Sequence, residues 1–250
     1  MRYLIAAAGL LGALMPFQSM AGEPEMTFTG VATAPGGERT LYEEQHRVSG
    51  SCINGQWRPR EHQVDYSQEG AEEPFASKSL AYPESLAVPE VDFRQPEFNE
   101  RLRISVTGDA LDVQWSAGNE QDGDWTLELD GDLVVDTGFD HFIRNHWDEL
   151  TSGEAVKFRF LAPTRGKAYN FVAEPADEGI PGADHSFRIR PGGLIMRLAV
   201  DPIRLGYRDD GFLTHYVGLG NIRRNRDENY QVAIRYSLDT APPCPLLPPA

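Results

Sequence analysis

Residues 202–217 read PIRLGYRDDGFLTHYV, two runs of alternating side chains around Asp209-Asp210-Gly211. Period-two alternation puts successive side chains on opposite faces of a strand, and Asp-Gly supplies the positive-φ position of a tight hairpin. The same pattern extends outward in both directions. Met26–Ala32 and Arg39–Val48 read as a strand pair around Pro35-Gly36-Gly37, and Gln56–Tyr66 as a third strand after Asn54-Gly55. Lys78–Tyr82, Arg101–Thr107, Ala110–Ser116, Thr126–Val135, Phe158–Leu161, Tyr169–Ala173, Ser186–Arg190 and Tyr230–Tyr236 read as further strands. Residues 67–77 read as a polar loop, and Pro83–Pro96, with three prolines, as a surface connection.

One stretch breaks the β rhythm. From Gly138 to Leu150, the apolar residues Phe139, Phe142, Ile143, Trp147 and Leu150 fall at helical spacing, with Thr137 and Asp140 in capping-box positions and Gly153 as a stop. A second short helix is read around Gly193–Ala199. The pattern therefore predicts a mainly β fold: a single curved antiparallel sheet, half-barrel or barrel-like, packed on one amphipathic helix. A sheet curled around such a helix has an apolar concave face, and any space left there suits a lipid chain.

The start of the chain gives an address. Arg2, an uncharged run from Tyr3 to Met15, Pro16 and Ser19-Met20-Ala21 have the layout of a signal peptide cleaved after Ala21. The run is too short to cross a bilayer, which takes roughly 20 apolar residues. The expected location is the periplasm of a Gram-negative bacterium, or the exterior. The expected organisation is a signal at 1–21, one β-rich domain over 22–238 and a Pro-rich tail over 239–250.

Charge narrows the partners. The chain holds 23 Lys+Arg against 38 Asp+Glu, and loss of Arg2 leaves the mature chain at −16. Phosphate backbones repel such a chain, so nucleic acid is not expected as a partner. Residues 118–154 carry 11 acids and one base, whereas 186–226 carry eight Arg and three Asp. Either the two segments neutralise each other across strands, or the Arg side chains line an anion site. Cys52 and Cys244 are the two cysteines, and an oxidising compartment favours a bridge tying the tail to the first hairpin.

Three groups of residues carry possible chemistry. Asp136, Asp140, His141, Arg144, His146, Asp148 and Glu149 surround the helix, as an acid–base or metal cluster or as its solvated side. His46 and His62, with Glu43, Glu44 and Glu61, form either a cross-strand metal pair or polar residues on the outer face of the sheet. Gly218-Leu219-Gly220-Asn221-Ile222-Arg223 reads as a rigid corner. No Walker loop, H-E-x-x-H or G-x-S-x-G motif occurs. No catalytic residue, metal or cofactor is assigned, and the oligomeric state is left open.

Asp201-Pro202-Ile203-Arg204-Leu205-Gly206-Tyr207 and Gly211–Ile222 resemble the closing strand–turn–strand of uncharacterised exported bacterial proteins. They are also similar to the sheets of periplasmic lipoprotein carriers of the LolA/LolB type, although those use several helices. The resemblance implies a curved sheet that shelters acyl chains. The leading expectation is a non-enzymatic periplasmic binding or carrier protein for an amphipathic, lipid-like envelope ligand. Phe139, Phe142, Ile143 and Trp147 would face the cavity, with Arg188, Arg190, Arg204 or Arg223 near an acidic head group. The alternatives are a hydrolase using the His and carboxylate groups, and a structural or assembly partner in the envelope.

Overall fold

A computed structural model describes residues 24–118, 122–193 and 201–249. The stretch read as a signal peptide, and all but Gly193 of the helix read around Gly193–Ala199, lie outside the described residues. The first eight strands are β1 (Glu25–Thr33), β2 (Thr40–Ile53), β3 (Gln56–Ser67), β4 (Ala76–Ala81), β5 (Glu90–Gln95), β6 (Glu100–Thr107), β7 (Ala110–Ala117) and β8 (Gly123–Glu128). There follow β9 (Leu133–Val134), the helices α1 (Gly138–Asn145) and α2 (Trp147–Thr151), β10 (Val156–Ala162), β11 (Lys167–Pro175), β12 (His185–Pro191), β13 (Ile203–Tyr207), β14 (Leu213–Arg223) and β15 (Asn229–Thr240).

All the described strands join one 15-stranded sheet in the order β8-β7-β6-β5-β4-β3-β2-β1-β15-β14-β13-β12-β11-β10-β9. Every pairing is antiparallel except β9 with β10. The sheet is thus two meanders that share the β1–β15 pair and end at β8 and β9. It is mainly β, open and strongly curved, as the alternation implied. Irregular registers between Ser49 and Gly50 and between Gly206 and Tyr207 accompany the bend. Gly50 is needed at its position, because a Cβ there would lie 2.3 Å from the Arg58 carbonyl.

Curvature is visible in bonds that cross the interior. Gln95 on β5 donates to the Arg223 carbonyl on β14 (3.0 Å), and the Arg223 Nε donates to Glu100 on β6 (2.9 Å). Asn221 on β14 donates to the Tyr66 hydroxyl on β3 (3.3 Å). The interior is packed: Tyr42, Leu80, Leu111, Leu133, Leu161 and Ile222 belong to one buried cluster, and α1 and α2 fill the rest with Phe142, Ile143 and Leu150 against Phe158, Phe187 and Leu205.

Three sequence expectations change. The helix predicted over Gly138–Leu150 is two short helices broken at His146, whose φ of −112° leaves the helical range and whose N–H is shared between the Phe142 and Ile143 carbonyls. Thr137 makes no capping bond; instead the preceding Asp136, at φ 46°, accepts the Thr137 N–H through its carboxylate. The connection predicted over Pro83–Pro96 contains β5, where Val91, Phe93 and Gln95 alternate inward between flanking prolines.

The cysteines pair. Cys52 and Cys244, 192 residues apart, form a disulfide with a Cα–Cα distance of 5.9 Å, which anchors the tail to the β2–β3 hairpin. Among the described residues no helix is long and apolar enough to cross a membrane.

Candidate functional site

The parity of β2 and β3 decides where the first histidine pair goes. Tyr42 and Val48 on β2 and Val64 and Tyr66 on β3 turn inward as core residues, and alternation carries Glu44, His46 and His62 in with them. His46 and His62 are therefore buried on the inner face, and the outer-face reading is corrected. The His46 Nδ1 lies 2.9 Å from the His62 Nε2, and the His46 Nε2 lies 3.0 Å from the Glu44 carboxylate. Glu44 also accepts from the Tyr236 hydroxyl (3.1 Å). Because a carboxylate only accepts, His46 donates through Nε2; a neutral His46 then accepts at Nδ1 from His62. Phe28 stacks on one face of the His46 ring at 4.1 Å, and Tyr236 packs at the edge of the same ring. Gly30 makes room for this arrangement, since a Cβ there would lie 2.7 Å from the Tyr236 ring.

A second buried polar group sits where α1 meets the sheet. Lys78 on β4 reaches the Asp136 carboxylate at 2.8 Å, and both side chains are largely covered. Arg144 is buried, pairs with Asp140 and lies 3.2 Å from the His141 Nδ1; Asp140 also accepts from the Tyr207 hydroxyl (3.1 Å). The solvated-side reading of Asp140 and Arg144 is thus overturned, because the curled sheet covers the polar side of α1 as well as its apolar stripe. His146 pairs with Glu149 nearer the surface (3.3 Å).

Burial governs the protonation of this interior. His62 is held well below the usual histidine value, first by desolvation and then by His46, Lys78 and Arg144. Burial and Arg144 push His141 the same way. Lys78 is held above its ordinary value: desolvation works against its charge, but Asp136, with Tyr66 and Glu44, outweighs it. Burial raises Asp140 despite Arg144. Among the described residues no cluster of three or more His, Cys, Asp or Glu side chains is placed to hold a metal ion.

The predicted ligand contacts separate. Phe139 packs beside Tyr216, Phe142 on Phe158, and Trp147 edge-on to Phe187 and Tyr207, with Ile143 fully buried. Their apolar surface faces other side chains of the core. Arg188 and Arg190 alternate with inward Phe187 and Ile189, so they lie on the outer face, where Glu174 accepts from both Nε atoms (3.0 and 2.7 Å). Arg204 is opposite Arg188 on that face. Arg223 is inside, on Glu100 and over Trp115. Among the described residues, Asp130 and Asp132 of the acidic segment pair with Arg159, while Arg188, Arg208 and Arg223 of the Arg-rich segment pair with Glu174, Asp210 and Glu100.

The feature not found by motif is the seam. β8 and β9 end the sheet, and among the described residues no backbone ladder joins them. The two edges meet instead through side chains, with a cleft of about 230 Å³ lined by Leu127, Glu128, Asp130, Leu133, Arg159 and Ala168. Trp125 of β8 lies flat against the backbone of Gly166 in the β10–β11 turn, where a Cβ would stand 2.2 Å from the indole. Trp125, Leu127, Leu129 and Ala168 pack on the main interior cluster, so the seam opens directly onto apolar core. The sequence signal was the interruption of the predicted Thr126–Val135 strand at Asp130-Gly131-Asp132, which ends β8 before β9 begins.

No protein-family model matches the chain, and no curated protein matches it. Among solved structures, it is similar to a beta-barrel-like protein of domain of unknown function DUF1849 from Brucella abortus, at 10% identity and a TM-score of 0.40, over 86% of this chain and 95% of that one.

Proposed function

We propose that this protein is a non-enzymatic carrier or binding protein for an amphipathic ligand of the cell envelope, admitted through the β8–β9 seam. The observation that supports the reading is the seam itself: two strand edges with no backbone ladder between them among the described residues, a cleft lined by Leu127, Leu133 and Ala168 together with the charged Glu128, Asp130 and Arg159, and apolar core behind it. Parting Trp125 from Gly166 breaks no backbone ladder, whereas opening the sheet elsewhere breaks one. An acyl chain entering there would replace side-chain contacts with its own, at roughly 0.8 kcal/mol for each buried CH₂. The role agrees with that of the LolA/LolB-type carriers which the final hairpin resembles, and with an address outside the cytoplasm.

The Glu44–His46–His62 chain is the strongest basis for an enzymatic reading. His46 and His62 are buried, with Phe28 stacked on His46 and Tyr236 at its edge. Native mass spectrometry of the full chain recovered from an envelope extract tests the carrier reading. The expected spectrum carries an adduct of lipid mass that is lost on collisional activation, and ligand-free protein alone from lipid-replete cells would refute it.

A further inference from the structure

Beside the β2–β3 hairpin, the Pro-rich tail lies in an aromatic groove. Five of the last ten residues are proline, and within this tail Leu246 is buried against Met26 of β1, Val48 of β2, Trp57 of β3 and Phe212. The Trp57 backbone N–H donates to the Pro245 carbonyl (2.8 Å), and the buried Gln56 side-chain amide donates to the next carbonyl, that of Leu246 (3.0 Å). A proline has no N–H, so a proline-rich segment offers its surroundings mainly acceptors. Here the groove supplies donors and aromatic walls, which is the complement of such a segment.

The groove also holds a donor that the tail leaves unused. Trp57 is only 2% exposed, and its indole Nε1 has no hydrogen-bond partner among the described residues. A buried donor without an acceptor is costly, so the resident segment fits the groove incompletely. Its residence is secured covalently, since Cys244, bonded to Cys52, directly precedes Pro245.

We infer that this groove is a recognition site for proline-rich segments of a partner protein, closed in the oxidised chain by its own tail. A dithiol opens it: its two thiols close to a disulfide as two electrons and two protons pass to Cys52 and Cys244, which become thiols. The freed tail then competes with a partner segment that presents an aliphatic residue between prolines and a carbonyl to the Trp57 indole.

The test uses the full chain with Cys52→Ser and Leu246→Asp, which removes the bridge and places a carboxylate in the apolar groove. The probe is a fluorescein-labelled peptide of residues 241–250 carrying Cys244→Ser, followed by anisotropy. Binding at least about tenfold tighter than to the oxidised wild type is expected, and the same peptide with Leu246→Asp is not retained. A second measurement needs no variant: in the wild-type chain, treatment with a dithiol speeds hydrogen exchange at the Trp57 amide, and excess peptide slows it again. Failure of the peptide to bind the variant with native near-UV circular dichroism, or to re-protect Trp57 in the reduced wild type, would overturn the inference. A Cys52–Cys244 bridge between two chains after reoxidation would also overturn it, by assigning the groove to a second copy.

Discussion

Acidification from about pH 7.5 to about pH 5 is expected to lower the folding stability through His62, by at most about 2 kcal/mol. In the folded chain His62 is buried beside His46, with Lys78 of β4 and Arg144 of α1 facing it, and its value lies well below the ordinary 6.5. The unfolded chain therefore binds a proton that the folded chain refuses. Stability is complete above the unfolded value and is lost as the pH falls beneath it, at about 1.36 kcal/mol for each pH unit. His141 is displaced in the same direction and adds to the slope. The carboxylates held low by arginine, Asp92, Glu174 and Asp210, contribute only nearer pH 4 and below, and Asp140, which is raised, works against the slope, since its protonation in the folded chain restores stability as the pH falls. Guanidinium chloride unfolding at about pH 7.5, 6 and 5 measures the slope, and His62→Gln should remove the share belonging to His62. A wild-type stability that is flat or rising toward pH 5, or a His62→Gln variant with an undiminished slope, would refute the assignment.

Three further perturbations follow from the packing. Asp136→Asn keeps a residue type suited to the left-handed φ of 46° while leaving Lys78 buried without its counter-charge, and should cost about 3–5 kcal/mol in chemical denaturation. Gly30→Ala drives a methyl group against Tyr236 and the Glu44 carboxylate; a loss of about 1–3 kcal/mol with altered near-UV circular dichroism is expected. Reduction of Cys52–Cys244, which spans 192 residues, should lower stability by about 2–5 kcal/mol, read as a drop in Tm without loss of far-UV signal at 25 °C.

The class of fold was legible because most strands show period-two alternation and the turns carry Asn-Gly and Asp-Gly, with Asn54 and Gly55 both at positive φ. The inner polar network was visible only as ambiguity. On β2, Glu44 and His46 interrupt the inward apolar series, and a strand with polar residues on both faces does not reveal which face is buried. Only long-range pairing with Phe28 and Tyr236 settles that Glu44 and His46 face inward. The same limit explains Arg144, whose helix face looks solvated in isolation because the surrounding sheet is not encoded locally. Cys52–Cys244 was anticipated from compartment and number, and the groove it closes was not, because Gln56, Trp57 and Leu246 meet only after the whole sheet has curled.

The central claim is that the seam parts to admit an amphipathic ligand. Spin labels at the exposed positions Thr126 on β8 and Lys167 on β11 report that separation by pulsed electron–electron resonance. Addition of a monoacyl phospholipid below its micellar concentration should move the distance distribution to longer values, and Trp125→Ala should lower the concentration at which it moves. An unchanged distribution at saturating phospholipid, in both chains, would contradict the account.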